Sequence, residues 1–124
     1  MLRRREMAKT DLEVSKFRNR PAYRYIRASD KLPSFAMLPE EEPVAKVKLF
    51  DPTGSWTWYI ASYDPDTRIA YGMVDGFEKE FGSFHMGELV EWEGRFGLPI
   101  ERDLYFDPCP LKDLTLMYSI YSNG

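Results

Sequence analysis

At 124 residues, with 44% hydrophobic and 15% aromatic content, the chain has enough apolar mass for one packed core, which argues against wholesale disorder. No apolar run approaches the roughly 18 residues that a spanning helix needs, so a helical membrane protein is not expected. The net charge of −3 conceals a split: residues 1–31 carry ten Lys/Arg against four Asp/Glu (+6), and residues 32–124 carry seven against sixteen (−9).

The first twenty residues are polar, with Leu12, Val14 and Phe17 the sizeable apolar groups after Met7. Thr10 and Asp11 are good N-caps, and Glu13 completes a capping box from Thr10, so a short helix is expected to begin there and to stop at Pro21. Tyr23-Arg24-Tyr25-Ile26-Arg27 suits a short strand or an extended arm. Pro33, Pro39 and Pro43 then bracket an irregular connection whose acidic tract, Glu40-Glu41-Glu42, belongs in solvent.

From Val44 the pattern becomes periodic. Ala45, Val47 and Leu49 alternate with Lys46 and Lys48, which predicts a strand with one wet face. Asp51-Pro52-Thr53-Gly54 forms a turn. Ser55 to Tyr63 is the next strand, with Trp56, Trp58 and Ile60 on one side and Thr57, Tyr59 and Ala61 on the other. Asp64-Pro65-Asp66 turns the chain, Arg68 to Val74 is a third strand, Asp75-Gly76 breaks it, and Phe81 to Phe84 is a fourth. Connections this short favour antiparallel neighbours. A helix is predicted over 86–93, with Leu89 and Trp92 on one face and Gly94 past its end. Ile100 to Phe106 is a fifth strand, Pro108-Cys109-Pro110 a rigid break, and Leu111, Leu114, Met117 and Tyr118 mark a final helix. The expected fold is α+β: one mostly antiparallel sheet of about five strands, with the short helix (86–93) and the C-terminal helix packed on one face. Residues 1–31 are expected to be a basic arm, partly docked through Tyr23 to Ile26, and residues 32–124 a single α+β domain.

Glu101 and Asp103 are the candidate catalytic acids, because two positions apart on a strand they share a face, as paired carboxylates in acid–base sites do. The plainer reading, which we prefer, pairs them across strands with Lys46, Lys48 or Arg68. Pro65-Asp66 followed by Glu78-Lys79-Glu80 lacks the spacing of a nuclease core. Calcium-loop, zinc-helix, phosphate-loop and dinucleotide motifs are absent from the sequence, so no metal or cofactor is expected. Cys109 and His85 are the only residues of their kinds, and flanking prolines mark Cys109 as a structural thiol. Trp56 and Trp58 are expected in the core, with Tyr59 an exposed contact on the opposite face. In the basic segment, Arg18, Arg20, Arg24 and Arg27 interleave with Tyr23 and Tyr25, a combination suited to phosphate contact plus base stacking. Self-docking on the acidic domain is the competing use of that charge.

Several stretches carry a resemblance: Lys48-Leu49-Phe50-Asp51-Pro52, Trp56-Thr57-Trp58-Tyr59, Gly76-Phe77-Glu78-Lys79-Glu80-Phe81-Gly82, Glu88-Leu89, and Phe96-Gly97-Leu98-Pro99-Ile100-Glu101-Arg102-Asp103-Leu104-Tyr105-Phe106. Taken together over about residues 44–114, they resemble domain-of-unknown-function family 2958, small proteins of plasmids, integrative elements and phages. That family usually has Ser or Thr at the cap of the short helix, where this chain has His85. The resemblance supplies a context without a chemistry. It implies a non-enzymatic accessory protein of a mobile element, with a host or element-encoded protein complex as partner. A cytoplasmic location with no membrane is expected instead from Lys9, Asp11, Glu13 and Lys16, which leave no apolar stretch behind the basic start, and from the single Cys109. Inhibition of a host defence or nucleic-acid-processing complex is the leading expectation. Nucleic-acid binding through residues 1–31 and an enzyme built on Glu101 and Asp103 are the alternatives.

Overall fold

Alternating side chains from Val47 to Asp75 build the centre of the molecule. The computed structural model describes residues 10–16, 23–34 and 42–114. Its strands are β1 (Asp11–Val14), β2 (Arg24–Arg27), β3 (Val44–Ala45), β4 (Val47–Phe50), β5 (Thr57–Asp64), β6 (Ile69–Asp75), β7 (Lys79–His85), β8 (Glu101–Arg102) and β9 (Cys109–Pro110), with a short helix α1 (Met86–Val90) between β7 and β8. The main sheet has five strands in the order β7-β6-β5-β4-β8, each antiparallel to its neighbours. Two small antiparallel ladders, β1–β2 and β3–β9, complete the strand pairing. The α+β class and the five-stranded antiparallel sheet are as the pattern predicts.

β5 supplies both faces. Trp58 and Ile60 enter the main apolar cluster with Val47, Leu49, Ala70, Met86, Leu89 and Ile100. Tyr59 and Ala61 join a second cluster with Ala45, Met73 and Leu111. A bulge then shifts the register, since Ile60 faces Gly72 but Ser62 faces Tyr71. The inserted residue reverses the alternation, so Tyr63, at an odd position, falls on the same side as Trp58 and Ile60. Gly72 permits the close approach here, because a Cβ on it would lie 1.7 Å from the Tyr59 carbonyl oxygen.

The main cluster is closed by the N-terminal segment. Tyr25 and Ile26 of β2 are wholly buried in it, and the Tyr25 hydroxyl donates to the Ile100 carbonyl at 2.7 Å. Two arginines of the domain hold this layer down. Arg68 grips the buried Glu13 with both ends of its guanidinium, at 3.0 and 2.8 Å, and the Tyr63 hydroxyl donates to the same carboxylate. Arg102 forks onto Asp30 with two bonds of 2.7 Å and also donates to the Tyr25 carbonyl. A contact of the opposite polarity, Lys16 to Glu91, lies in solvent.

Several elements differ from expectation. Asp11 to Val14 is a strand, because pairing with β2 outweighs the local capping signals of Thr10 and Asp11. The strand expected from Val44 breaks at Lys46, whose N–H bonds to the Ile60 carbonyl, and its first part pairs with Cys109 and Pro110. The expected strand from Ile100 ends at Arg102, where Asp103 begins a turn. α1 ends at Val90 rather than at residue 93, and His85 is its cap, its Nδ1 accepting from the Gly87 N–H at 2.8 Å. The helical segments also divide between the layers: Met86 and Leu89 pack in the main cluster and Leu111 in the second. Met117 and Tyr118 lie outside the described residues.

The Asp30 carboxyl is held below its ordinary range. Burial opposes its ionisation, but the Arg102 hydrogen bonds, the Arg27 backbone N–H and the charges of Arg102 and Arg27 more than offset that. A depressed carboxyl stabilises the fold above its unfolded pKa of about 3.9, and that contribution is lost as pH falls through the lower folded value. Asp30→Asn should therefore cost about 3 kcal/mol at pH 7 in urea unfolding. The gap to wild type should close as both are titrated below about pH 3.9.

Candidate binding groove and the aromatic loop end

The face of the sheet that carries Tyr59 is open beside β8. The register sets two rows across three strands: Thr57, Phe50 and Glu101 in one, and Tyr59, Lys48 and then Asp103 in the other. A cavity of about 510 Å³ lies over part of these rows, walled by Lys48, Phe50, Thr57, Asp103, Leu104 and Tyr105, with Tyr59 and Glu101 outside its lining. Leu104 and Tyr105 are 70% and 95% exposed at its lip.

Asp103 is committed to this local structure. Its Oδ1 accepts from the Tyr105 N–H at 2.9 Å, and its Oδ2 lies 3.6 Å from the Lys48 ammonium. Lys48 also stands 5.7 Å above the Tyr59 ring, which packs on Phe106. Burial, with Asp75 and Asp103 nearby, raises the Tyr59 phenol above its ordinary value, so it stays neutral and can only donate or accept a hydrogen bond. Glu101 is half-buried opposite Phe50, and its carboxylate makes no hydrogen bond or ion pair among the described residues. A neutralised Lys–Asp pair between aromatic walls suits a ligand or chain segment of mixed polarity.

The remaining sequence candidates fall elsewhere. Tyr25 is in the core, with its hydroxyl occupied and its pKa raised by burial, so it has no face to offer a base. Tyr23 is half-buried against the main cluster. Arg24 is exposed and pairs with Asp11 at 3.3 Å, and Arg27 leaves β2 for a 3-10 turn at Ala28–Asp30. Arg18 and Arg20 lie outside the described residues. His85 caps α1 while Cys109 pairs with Ala45 beside the second cluster, so the two serve separate parts of the fold. Burial and Asp113 raise the Cys109 thiol above its ordinary value, which makes it a poor nucleophile. Among the described residues no three His, Cys, Asp or Glu side chains are grouped to share a metal ion, and no helix is long and apolar enough to cross a membrane.

A second surface lies where β4, β6 and α1 end, and composition alone did not single it out. The buried Asp51 carboxylate organises it, accepting from the Thr53 N–H and hydroxyl at 2.9 Å each and from the Trp92 indole at 3.3 Å. Trp56, Trp58 and Trp92 pack together there, with ring centroids 5.3–6.3 Å apart. Phe77 stands edge-on to Trp56 at 5.3 Å. Gly76 lies under that indole, where a Cβ would come within 2.2 Å of the ring. Phe77 is nonetheless 94% exposed, and Phe96 is 90% exposed with φ of 61°. A bulky residue in the left-handed region and in solvent is costly on both counts. The signal for this surface was the glycine beside each phenylalanine, Gly76 and Gly97, outside any periodic element.

The chain belongs to the family described as a protein of unknown function (DUF2958), whose match covers residues 26–117. The match begins inside β2, earlier than the motifs alone suggested, so it includes Ile26 and Asp30, while β1 with Glu13, and Tyr25 of β2, precede it. Neither the curated proteins nor the solved structures contain a match to the chain.

If Glu101 and Asp103 have only local duties, Glu101→Gln should stay within about 0.5 kcal/mol of wild type in chemical denaturation. Asp103→Asn, which keeps the turn acceptor and loses the ion pair, should cost about 0.5–1 kcal/mol. Loss of the protein's biological effect in the folded double variant would instead mark a working carboxylate site.

Proposed function

We propose that the protein is a non-enzymatic binding protein of a mobile genetic element, and that it occupies a basic, nucleic-acid-binding surface of a host defence or nucleic-acid-processing complex. One observation carries this reading. Beside the tryptophan cluster is a notch of about 220 Å³ lined by Trp56, Val74, Phe77, Glu78 and Glu80. Aromatic rings beside two carboxylates are what a Lys or Arg side chain of a partner requires: apolar contact along the stem, with cation–π attraction and opposite charge at the tip. The underlying tryptophans hold the notch in shape, so little side-chain entropy is lost on docking. The excess of acids over residues 32–124 extends the same sign of field around it and would speed encounter with a cationic surface. Phe96 adds an exposed apolar contact at this end of the sheet, held in a conformation that costs stability.

The test uses tryptophan fluorescence with an Arg-rich peptide and a Glu-rich peptide of equal length. The Arg-rich peptide should perturb the indoles and bind less tightly as salt rises. Phe77→Ser and the double variant Glu78→Gln/Glu80→Gln should each weaken it by about tenfold or more, a loss of roughly 1.4 kcal/mol, at unchanged Tm. Equal binding of the Glu-rich peptide, or indifference to these substitutions, would sink the proposal. Phe96→Gly should stay within about 1 kcal/mol of wild-type stability, because glycine accepts the left-handed backbone.

A further inference from the structure

We infer that the cavity beside β1, β2 and the turn at Ala28–Asp30 is a site for a phosphate group, bound through Arg24 and Arg27. The cavity measures about 310 Å³ and is lined by Thr10, Asp11, Arg24, Arg27 and Ser29. None of these residues belongs to the acidic notch, so the two sites stand or fall separately.

The chemistry follows from what each nearby acid is already doing. Glu13 is taken by Arg68 and Tyr63. Asp30 is taken by the Arg102 fork and by the Arg27 backbone N–H at 2.8 Å. That leaves Asp11 facing two guanidinium groups. Its contact with Arg24 runs through Nε alone at 3.3 Å, and the Arg24 side chain is more than half exposed, so the pair is screened by solvent and easily exchanged. The Arg27 side chain is worse served. Its Nε is shut off from solvent and meets no hydrogen-bond partner among the described residues. A buried donor left unpaired is costly, and an acceptor arriving in the cavity would relieve it.

A phosphate group fits these requirements. Its oxygens match the planar fork of a guanidinium, and its charge can be shared between Arg24 and Arg27 against Asp11, since Asp30, which also feels the Arg27 charge, is held by the Arg102 fork. The Ser29 and Thr10 hydroxyls at the rim suit the remaining oxygens. The phosphate could belong to a small phosphorylated ligand or to a nucleic-acid backbone, and the chemistry of recognition is the same.

The experiment is thermal unfolding of the full chain in sodium phosphate against sodium chloride at equal ionic strength. It is accompanied by fluorescence polarisation with a labelled single-stranded oligonucleotide. Phosphate should raise the wild-type Tm above that in chloride, by mass action on the folded state. Arg27→Gln should abolish the rise, and Arg24→Gln, a surface change that leaves folding intact, should reduce it and decides the matter if Arg27→Gln does not fold. Oligonucleotide binding that is displaced by phosphate and weakened in the same variants would assign the group to a nucleic-acid backbone. A phosphate-specific rise without oligonucleotide binding would assign it to a small ligand. No phosphate-specific rise in the wild type, or an equal rise in wild type and both variants, overturns the inference.

Discussion

The grip of Arg68 on Glu13 is the contact on which the two layers of the molecule depend. Glu13 is only 3% exposed, and both of its oxygens are met by donors, from the guanidinium and from the Tyr63 hydroxyl. The net gain from the pair is small, because burying Glu13 is costly and the 43%-exposed Arg68 is screened by solvent, but removing Arg68 would strand the Glu13 carboxylate. The pair therefore acts less as a source of stability than as a specification of how β1 and β2 sit on the sheet. Once they sit that way, Tyr25 and Ile26 fill the main cluster and Asp30 comes within reach of Arg102. Arg68 reaches Glu13 from a left-handed backbone with φ of 61°, so local strain is part of the arrangement.

The polarity of these contacts is the reverse of what the charge split suggests. A basic segment on an acidic domain would be expected to dock through its own bases. Among the described residues both bidentate contacts use the segment's acids and the domain's arginines, and only the exposed Lys16–Glu91 pair runs the other way. Docking thus consumes the minority charge on each side and sharpens the asymmetry. The folded chain presents two regions of opposite sign, one around Arg24 and Arg27 and one around Glu78 and Glu80.

Much of the central sheet was legible because β6, and β5 as far as Ala61, obey alternation, so Trp58 and Ile60 face the side the pattern assigns them. What stayed hidden depends on pairing between distant residues. The signals at Thr10 and Asp11 are local and helical, whereas the strand there exists through Arg24, Ile26 and Arg27. Cys109 and Pro110 look like a break until Val44 and Ala45 arrive beside them. The tyrosines among arginines suggested a stacking surface, yet β2 buries Tyr25 and Ile26 together in the main cluster, where the Ile100 carbonyl offers Tyr25 an acceptor. In the candidate groove the partnership of Asp103 with Lys48 was legible as a cross-strand pair. The exposure of Phe77 and Phe96 was not, because a phenylalanine in a sequence is read as core until the fold shows nothing left to cover it.

The bulge between Ile60 and Ser62 bears on how this chain can vary in length. Turns such as 51–54 can gain or lose residues with little consequence beyond closure entropy, which grows slowly with loop size. β5 has that freedom only at its bulge. Deleting the inserted Ala61 would straighten the strand yet keep Ser62 opposite Tyr71 and Tyr63 opposite Ala70, with the Tyr63 hydroxyl still on the side of Glu13. A residue lost from a regular stretch of the strand would instead act on the side chains as a frameshift acts on codons, turning its neighbours to the opposite face.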